Sequence, residues 1–335
     1  MQFSYPPRVA LAHLPTPIHH LERLSRSLGG PDLYLKRDDL TGFALSGNKV
    51  RKLEFVLADA LRRGATAVIT CGGLHSNHAR ATAVAAARLG LKCHLVLRGE
   101  APAVWDGNGL IDKLVGAEVT FITPEQYYGQ RDEIMAEKAG ELERRGERAY
   151  VIPEGASNAL GAVGYLQAGD EIAHDQERMG VRFDAVVFAV GSGGTYAGMF
   201  LAAKIAGLRT RVVGINVCDD APYFVRRIAG IIEEFKALFG VELEYAPEEI
   251  QIIDGYVGLG YAQSRPEELA FICEVARTEG VLLDPVYTGK AMYGLVDQIR
   301  QGRFRPGEKV LFIHTGGAFD LFPLREELSL VGLSS

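Results

Sequence analysis

The sequence predicts an α/β protein of two three-layer domains, each an open sheet with helices on both faces. Three observations carry this. Short apolar runs alternate with helix-period patterns along the chain, the order that builds parallel strands through right-handed crossovers. Many of the 39 glycines fall directly after the strand-like runs, where open α/β sheets bind ligands. At 335 residues, with 47% hydrophobic and 23% charged, the chain can hold two soluble domains.

Taken in order, residues 21–28 read as a helix and 33–36 as a strand ending in Arg37-Asp38-Asp39. From 50 to 63, Leu53, Val56, Leu57, Ala60 and Leu61 keep the i, i+3, i+4 spacing of one buried helix face. Residues 65–71 are a strand, 72–78 a turn, 79–89 an alanine-rich helix and 92–97 a strand. The alternation continues with a helix at 105–114, a strand at 118–122, a charged helix at 127–145, a strand at 149–153 and a long helix at 161–174. A second series begins with the strand 183–190 and the loop 191–195, followed by a strand at 211–217. Residues 221–280 give two or three helices around an irregular middle. The chain closes with a short strand at 281–283, a helix at 290–301 and a strand at 309–314. The expected division is a smaller domain, 48–161, inserted in a larger one formed by 1–47 and 162–335.

The net charge of −6 and the lack of a long basic run argue against a nucleic-acid partner. No leader-like N-terminus and no 18-residue apolar run is present, so the expectation is a cytoplasmic protein without a membrane partner. Cys71, Cys93, Cys218 and Cys273 lie far apart and form no Cys/His cluster, so no disulfide framework and no metal site is expected.

The chemistry centres on Ser46-Gly47-Asn48-Lys49, the last coil before the first long helix. A helix N-terminus favours anions, yet Lys49, Arg51 and Lys52 crowd there. Neighbouring cations and desolvation favour the neutral amine, which attacks carbonyls and can make a Schiff base. The bland alternative is a solvated helix end. Gly191-Ser192-Gly193-Gly194-Thr195 lies between an apolar strand and a helix, an anion cradle suited to one phosphate unless it is an ordinary tight turn. A dinucleotide fingerprint would need a glycine where Tyr196 stands. Ser76, Asn77 and His78, at another strand-to-helix junction, suit a carboxylate; alternatively Ser76 or Asn77 is a plain helix cap. Tyr287, Thr288 and Thr315 add a ring and two hydroxyls at carboxyl ends of strands.

Together these motifs describe a site for pyridoxal 5′-phosphate and a small amino acid. Residues 35–39 (LKRDD), 46–52 (SGNKVRK), 75–78 (HSNH), 191–195 (GSGGT), 284–290 (DPVYTGK) and 313–317 (IHTGG) resemble the D-cysteine desulfhydrase and 1-aminocyclopropane-1-carboxylate (ACC) deaminase family. The resemblance runs from about residue 15 to 322. It implies the pyridoxal-phosphate fold type II of the tryptophan synthase β type, usually a homodimer. By it, Lys49 is the Schiff-base lysine, Asn48 the partner of the cofactor hydroxyl and Gly191 to Thr195 the phosphate loop, with Ser76, Asn77 and His78 as the substrate-carboxylate site. Tyr261 and Tyr287 are the active-site tyrosines. Ring-opening deaminases of the family carry a glutamate at the position of Thr288 and glutamine at that of His78. The pair Thr288 and Thr315 at the cofactor ring therefore favours D-cysteine desulfhydration, in which Lys49 or Ser76 removes the α-proton and a tyrosine donates to the leaving sulfide. L-Cysteate sulfo-lyase and ACC deaminase are the alternatives within the family, with Arg265 a candidate contact for a second anion. A non-catalytic metabolite-binding protein is the alternative outside it.

Overall fold

The computed structural model describes residues 3–332. The first half of the chain runs β1 (Ile18–His20), α1 (Glu22–Leu28), β2 (Asp32–Lys36), α2 (Lys49–Arg62), β3 (Ala67–Gly73), α3 (Asn77–Arg88), β4 (Lys92–Arg98), α4 (Gly107–Leu114), β5 (Glu118–Ile122), α5 (Pro124–Arg144) and β6 (Ala149–Val151). The second runs α6 (Ala159–Met179), β7 (Ala185–Val190), α7 (Gly194–Ile205), β8 (Arg211–Asn216), α8 (Ala221–Phe239), β9 (Gln251–Ile253), α9 (Pro266–Glu279), α10 (Thr288–Arg300), β10 (Lys309–Ile313) and α11 (Arg325–Gly332).

Two sheets result, a six-stranded one in the order β1-β2-β10-β7-β8-β9 and a four-stranded one in the order β5-β4-β3-β6. All pairings are parallel except β1 with β2. Central strands covered by helices on both faces read as continuous apolar runs, and β7, Ala-Val-Val-Phe-Ala-Val, is buried at every residue. The expected two-sheet α/β architecture is present. Among the described residues no helix is long and apolar enough to cross a membrane. All four cysteines are free thiols, two buried and two partly exposed.

The differences from expectation are local. Strands β1 and β9 are three residues each, too short to show an alternation, and α11 was not anticipated. Residues 281–283 form no strand. The places beside β10 are already filled by β2 and β7, and this apolar run joins neither open edge of the sheet, β1 or β9.

Helix α2 is fixed by buried ion pairs with the turn that follows β2 and with α6. Arg51 turns away from Lys49 and donates to Asp38 (2.9 and 2.7 Å) and Glu171 (2.9 and 3.1 Å). Lys36 on β2 pairs with Glu171 at 2.6 Å and Asp175 at 2.8 Å, and the Tyr165 hydroxyl donates to Asp38 at 2.5 Å. Helix α6 can approach because residue 164 is glycine: a Cβ there would stand 2.4 Å from the Arg51 carbonyl oxygen.

Candidate active site

Lys49 is the first residue of α2, and Asn48 is its N-cap without a side-chain capping bond. The Asn48 side chain instead donates to Thr195 Oγ1 (3.0 Å), while its backbone N–H donates to Thr315 O (3.1 Å). Gly47, at φ +104°, lies so close to residue 315 that a Cβ would meet the Thr315 carbonyl oxygen at 2.6 Å. The loop before α2 is therefore clamped to the carboxyl end of β10 and the start of α7. Lys49 is partly exposed to a cavity of about 210 Å³, and burial lowers its amine to about 8 although Glu154 and Cys218 oppose the shift.

The loop 191–195 joins β7 to α7 and lines both this cavity and a smaller inner one, with Gly193 at φ +86°. Behind it lies Lys52, which the sequence offers only as one of the cations crowding the start of α2. Lys52 Nζ lies 3.2 Å from Gly155 O and 3.4 Å from Ser157 Oγ, and a Cβ on Gly194 would stand 2.9 Å from that ammonium. Burial pushes the Lys52 amine well below its usual range, and Lys49 and Arg227 push it further. The signal was the i, i+3 spacing, which puts Lys49 and Lys52 on one helix face while Arg51 takes another. An anion beside Lys52 relieves this unpaired cation. Replacing Lys52 with methionine should weaken cofactor binding by about 10- to 100-fold, the range for one charge-assisted hydrogen bond. Titrating apoprotein with pyridoxal phosphate measures it, and an unchanged Kd would remove Lys52 from the phosphate site.

Ser76 is the N-cap of α3, its Oγ accepting from Ala79 N at 3.2 Å, and it also lines the cavity. The plain capping role and a place in the site thus coexist. His78 Nε2 lies 2.7 Å from Thr70 Oγ1, which itself donates to Ile152 O at 2.9 Å. The ring proton therefore sits on Nε2, and the buried Nδ1 is left without a hydrogen-bond partner. Burial, then Lys49 and Lys52, hold His78 well below its usual value, so it stays neutral.

Asn77 is committed to structure as well as lining the inner cavity. Its Oδ1 accepts from Arg80 (3.3 Å) and Asn108 (3.1 Å), and its Nδ2 donates to Asp320 Oδ2 at 3.4 Å. Asp320, buried after β10, also accepts from Asn108 at 3.0 Å and faces His75 at 3.5 Å. One carboxylate thus ties the loop of the four-stranded sheet to the six-stranded one. Burial raises Asp320 to about 6 despite the His75 contact. Above that pH the ionised carboxylate accepts from both amides; below it, protonation converts an acceptor into a donor. We expect KM to rise as pH falls through about 6, and Asp320→Asn to raise KM about tenfold at neutral pH while removing that acid limb. A pH–KM profile for both proteins decides it, and an acid limb that survives in Asp320→Asn assigns the limb elsewhere.

Tyr261 and Tyr287 meet hydroxyl to hydroxyl at 2.6 Å on the wall of the larger cavity, their rings edge to face at 5.9 Å. Burial raises both phenols above their ordinary value, so both remain protonated. Lys290 holds the Tyr261 loop by donating to the carbonyls of Val257 (2.6 Å), Gly260 (2.7 Å) and Gln263 (2.8 Å). Two expectations change. Thr288 lines neither cavity: its hydroxyl donates to Asp284 Oδ1 at 2.6 Å and accepts from Asp284 N at 2.8 Å, inside a turn built on that buried aspartate. Of the hydroxyl pair, Thr315 alone lines the inner cavity. Arg265 is paired with Glu268 (2.9 Å) and Glu267 (3.4 Å) and is absent from the cavity wall.

The structure thus brings a lysine of lowered pKa together with the 191–195 loop and the start of α3 around one cavity. A family model described as pyridoxal-phosphate dependent enzyme matches residues 9–316. The chain belongs to the pyridoxal-phosphate-dependent enzyme family. Within that family it is 47% identical over 317 residues to a putative ACC deaminase of Thermotoga maritima, covering 94% of this chain and 97% of that one. It is 43% identical over 321 residues to the D-cysteine desulfhydrase of Serratia proteamaculans, covering 94% and 95%. It is also 43% identical to the bifunctional D-cysteine desulfhydrase/ACC deaminase of Arabidopsis thaliana, covering 96% and 81%. A solved ACC deaminase homologue superposes with a TM-score of 0.89 at 43% identity over 97% of this chain and 96% of that one. An O-ureido-L-serine synthase, TM-score 0.66 at 18% identity over 94% and 92%, shares the fold.

The residues present fit the family's cofactor. Lys49 offers the amine, Lys52 a buried amine without a carboxylate partner beside the Gly194 backbone, whose charged form a phosphate would favour, and Asn48 and Thr315 polar groups on the inner wall.

Proposed function

We propose that this pyridoxal-phosphate-dependent lyase performs β-elimination on a small amino acid, with D-cysteine converted to pyruvate, ammonia and hydrogen sulfide. The observation that carries the reading is the lining of the inner cavity, which presents the Thr315 hydroxyl and no carboxylate. A carboxylate at the ring nitrogen would keep it protonated and strengthen the electron sink, which cyclopropane opening needs more than loss of a good leaving group does.

The bound cofactor supplies the sink for the charge left at the substrate's Cα. The chain's own groups do the rest. The Ser76 to His78 loop at the α3 N-terminus receives the substrate carboxylate, since free amides and the helix dipole converge there. Lys49, near neutrality in pKa, takes the α-proton. The linked Tyr261 and Tyr287 hydroxyls, both protonated, hand a proton to the departing sulfur. His78, neutral with Nδ1 free, accepts a hydrogen bond without competing as an acid.

The test is the visible spectrum of the purified holoenzyme before and after D-cysteine, with sulfide and pyruvate assayed together. A shifted cofactor band with both products in equal amounts supports the reading. A band unmoved by D-cysteine and shifted by ACC, with ammonia but no sulfide, overturns the substrate assignment.

A further inference from the structure

Lys290 stands in the first turn of α10, where the helix dipole disfavours a cation, and it is fully buried. Among the described residues no carboxylate pairs with it: Glu268 on α9, whose charge it feels, is held by Arg265 at 2.9 Å. Its partners are three backbone carbonyls, those of Val257 (2.6 Å), Gly260 (2.7 Å) and Gln263 (2.8 Å). Burial lowers the amine from its usual value, yet three acceptors call for three donors, and only the ammonium has them. A charge set against its own helix and away from water is not explained by packing.

What the ammonium holds is the loop between β9 and α9, which has little shape of its own. Two long backbone bonds lie inside it, Gly260 N to Val257 O (3.3 Å) and Gln263 N to Gly260 O (3.2 Å). Gly258 (φ +67°), Gly260 (φ +130°) and Ala262 (φ +58°) all lie in the left-handed region, which strains Ala262. Ser264 Oγ, donating to Pro285 O at 2.8 Å, ties down only the far end. Tyr261 sits inside this stretch, and the Gly260 carbonyl belongs to the peptide that joins the two residues. Tyr287, whose hydroxyl meets that of Tyr261 at 2.6 Å, is the N-cap of α10, three residues before Lys290. One ammonium therefore mounts the Tyr261 loop on the helix turn that carries Tyr287. Arg98 from β4 stands over the Tyr261 ring at 5.1 Å, so the ring also touches the four-stranded sheet.

Resting on the elimination reading above, we infer that Lys290 is the positioning residue for the leaving-group proton, a built-in monovalent cation whose carbonyl cage sets the Tyr261 hydroxyl on that of Tyr287. As Cβ–S breaks, the bonding pair leaves with the sulfur as hydrosulfide, which takes a proton from the tyrosine pair and becomes hydrogen sulfide. The proton that Lys49 took from Cα replaces it through solvent, with no net redox change. A leaving group that departs without a proton has no use for the pair, and chloride is one. Loss of Lys290 therefore acts on the step that needs the donor and spares the one that does not.

The experiment compares pyruvate formation from D-cysteine and from 3-chloro-D-alanine by holoenzyme of the wild type, Lys290→Met and Lys290→Ala. Lys290→Met should lose about 10- to 100-fold in kcat on D-cysteine, with KM and the kcat on 3-chloro-D-alanine each changed by less than about threefold. Lys290→Ala leaves three carbonyls around a gap that suits a potassium ion as it suits an ammonium. Potassium or ammonium chloride should therefore raise its D-cysteine rate about tenfold over choline chloride and leave the wild type unmoved. Hydrogen exchange reads the loop without turnover: the amides of 257–263 should exchange faster in Lys290→Met than in the wild type, while those of β7 keep their protection. Equal losses on both substrates overturn the inference and make Lys290 a brace for the whole site. An unchanged D-cysteine rate overturns it too, leaving the loop to Ser264, and salts without effect on Lys290→Ala overturn the cation role. The two readings fail separately: if the wild type makes pyruvate from neither amino acid the elimination falls, and the exchange of 257–263 alone then decides whether Lys290 sets the Tyr261 loop.

Discussion

Lys49→Ala is expected to leave a folded protein that makes no measurable pyruvate from any amino acid tested. Two losses combine. The cofactor loses the one amine that the inner cavity offers it, and the α-proton loses its base, which alone is worth about 10²- to 10⁴-fold. The same amine has a pH signature. Its pKa is lowered to about 8 by burial, and the nucleophile is the neutral form, so uptake of pyridoxal phosphate by apoprotein should quicken as pH rises and level off above about 8. Pyruvate production by Lys49→Ala within tenfold of the wild type, with circular dichroism unchanged, would falsify the assignment.

What the sequence showed best was whatever is local. The order Ser46-Gly47-Asn48-Lys49 before a periodic helix places Lys49 at the start of α2, and the glycines after β7 place the cradle, because turn chemistry and strand ends are set by neighbours in the chain. Partners distant in sequence were not legible. Arg51 and Lys52 are adjacent, yet one is neutralised by Asp38 and Glu171 and the other stands without a carboxylate partner beside Gly194; only the packing of α2 against α6 separates them. Thr288 sits in a motif that reads as a cofactor contact, but Asp284, four residues earlier, claims its hydroxyl. Asp320, Lys290 and Arg98 carry no local pattern, since each acts by reaching another part of the chain. The run 281–283 shows the converse, a strand-like segment that pairs with no strand although both sheets have open edges.

The ion-pair network under α2 gives the second large effect. Asp38 accepts from Arg51 through both oxygens and also from Thr16 Oγ1 (2.8 Å) and Tyr165, and Arg51 is 1% exposed. Removing one partner of a buried pair leaves an uncompensated charge, so Asp38→Ala should cost about 3–5 kcal/mol. Urea unfolding monitored by circular dichroism would read this as a lower midpoint at unchanged slope. Replacing both Asp38 and Arg51 with leucine should restore part of the loss, because an apolar pair carries no stranded charge. The network also sets a pH dependence. Burial would raise the Glu171 carboxyl, but Arg51 and Lys36 hold it at about 2, below its ordinary 4.5. Its contribution is therefore complete above about 4.5 and is lost as pH falls towards about 2. Function follows stability here, since Arg51 is two residues from Lys49 and holds the first turn of α2 against α6. A partly folded Asp38→Ala protein should bind cofactor more weakly even where it remains assembled. A midpoint shift worth less than about 1 kcal/mol would show that Glu171 alone suffices to neutralise Arg51.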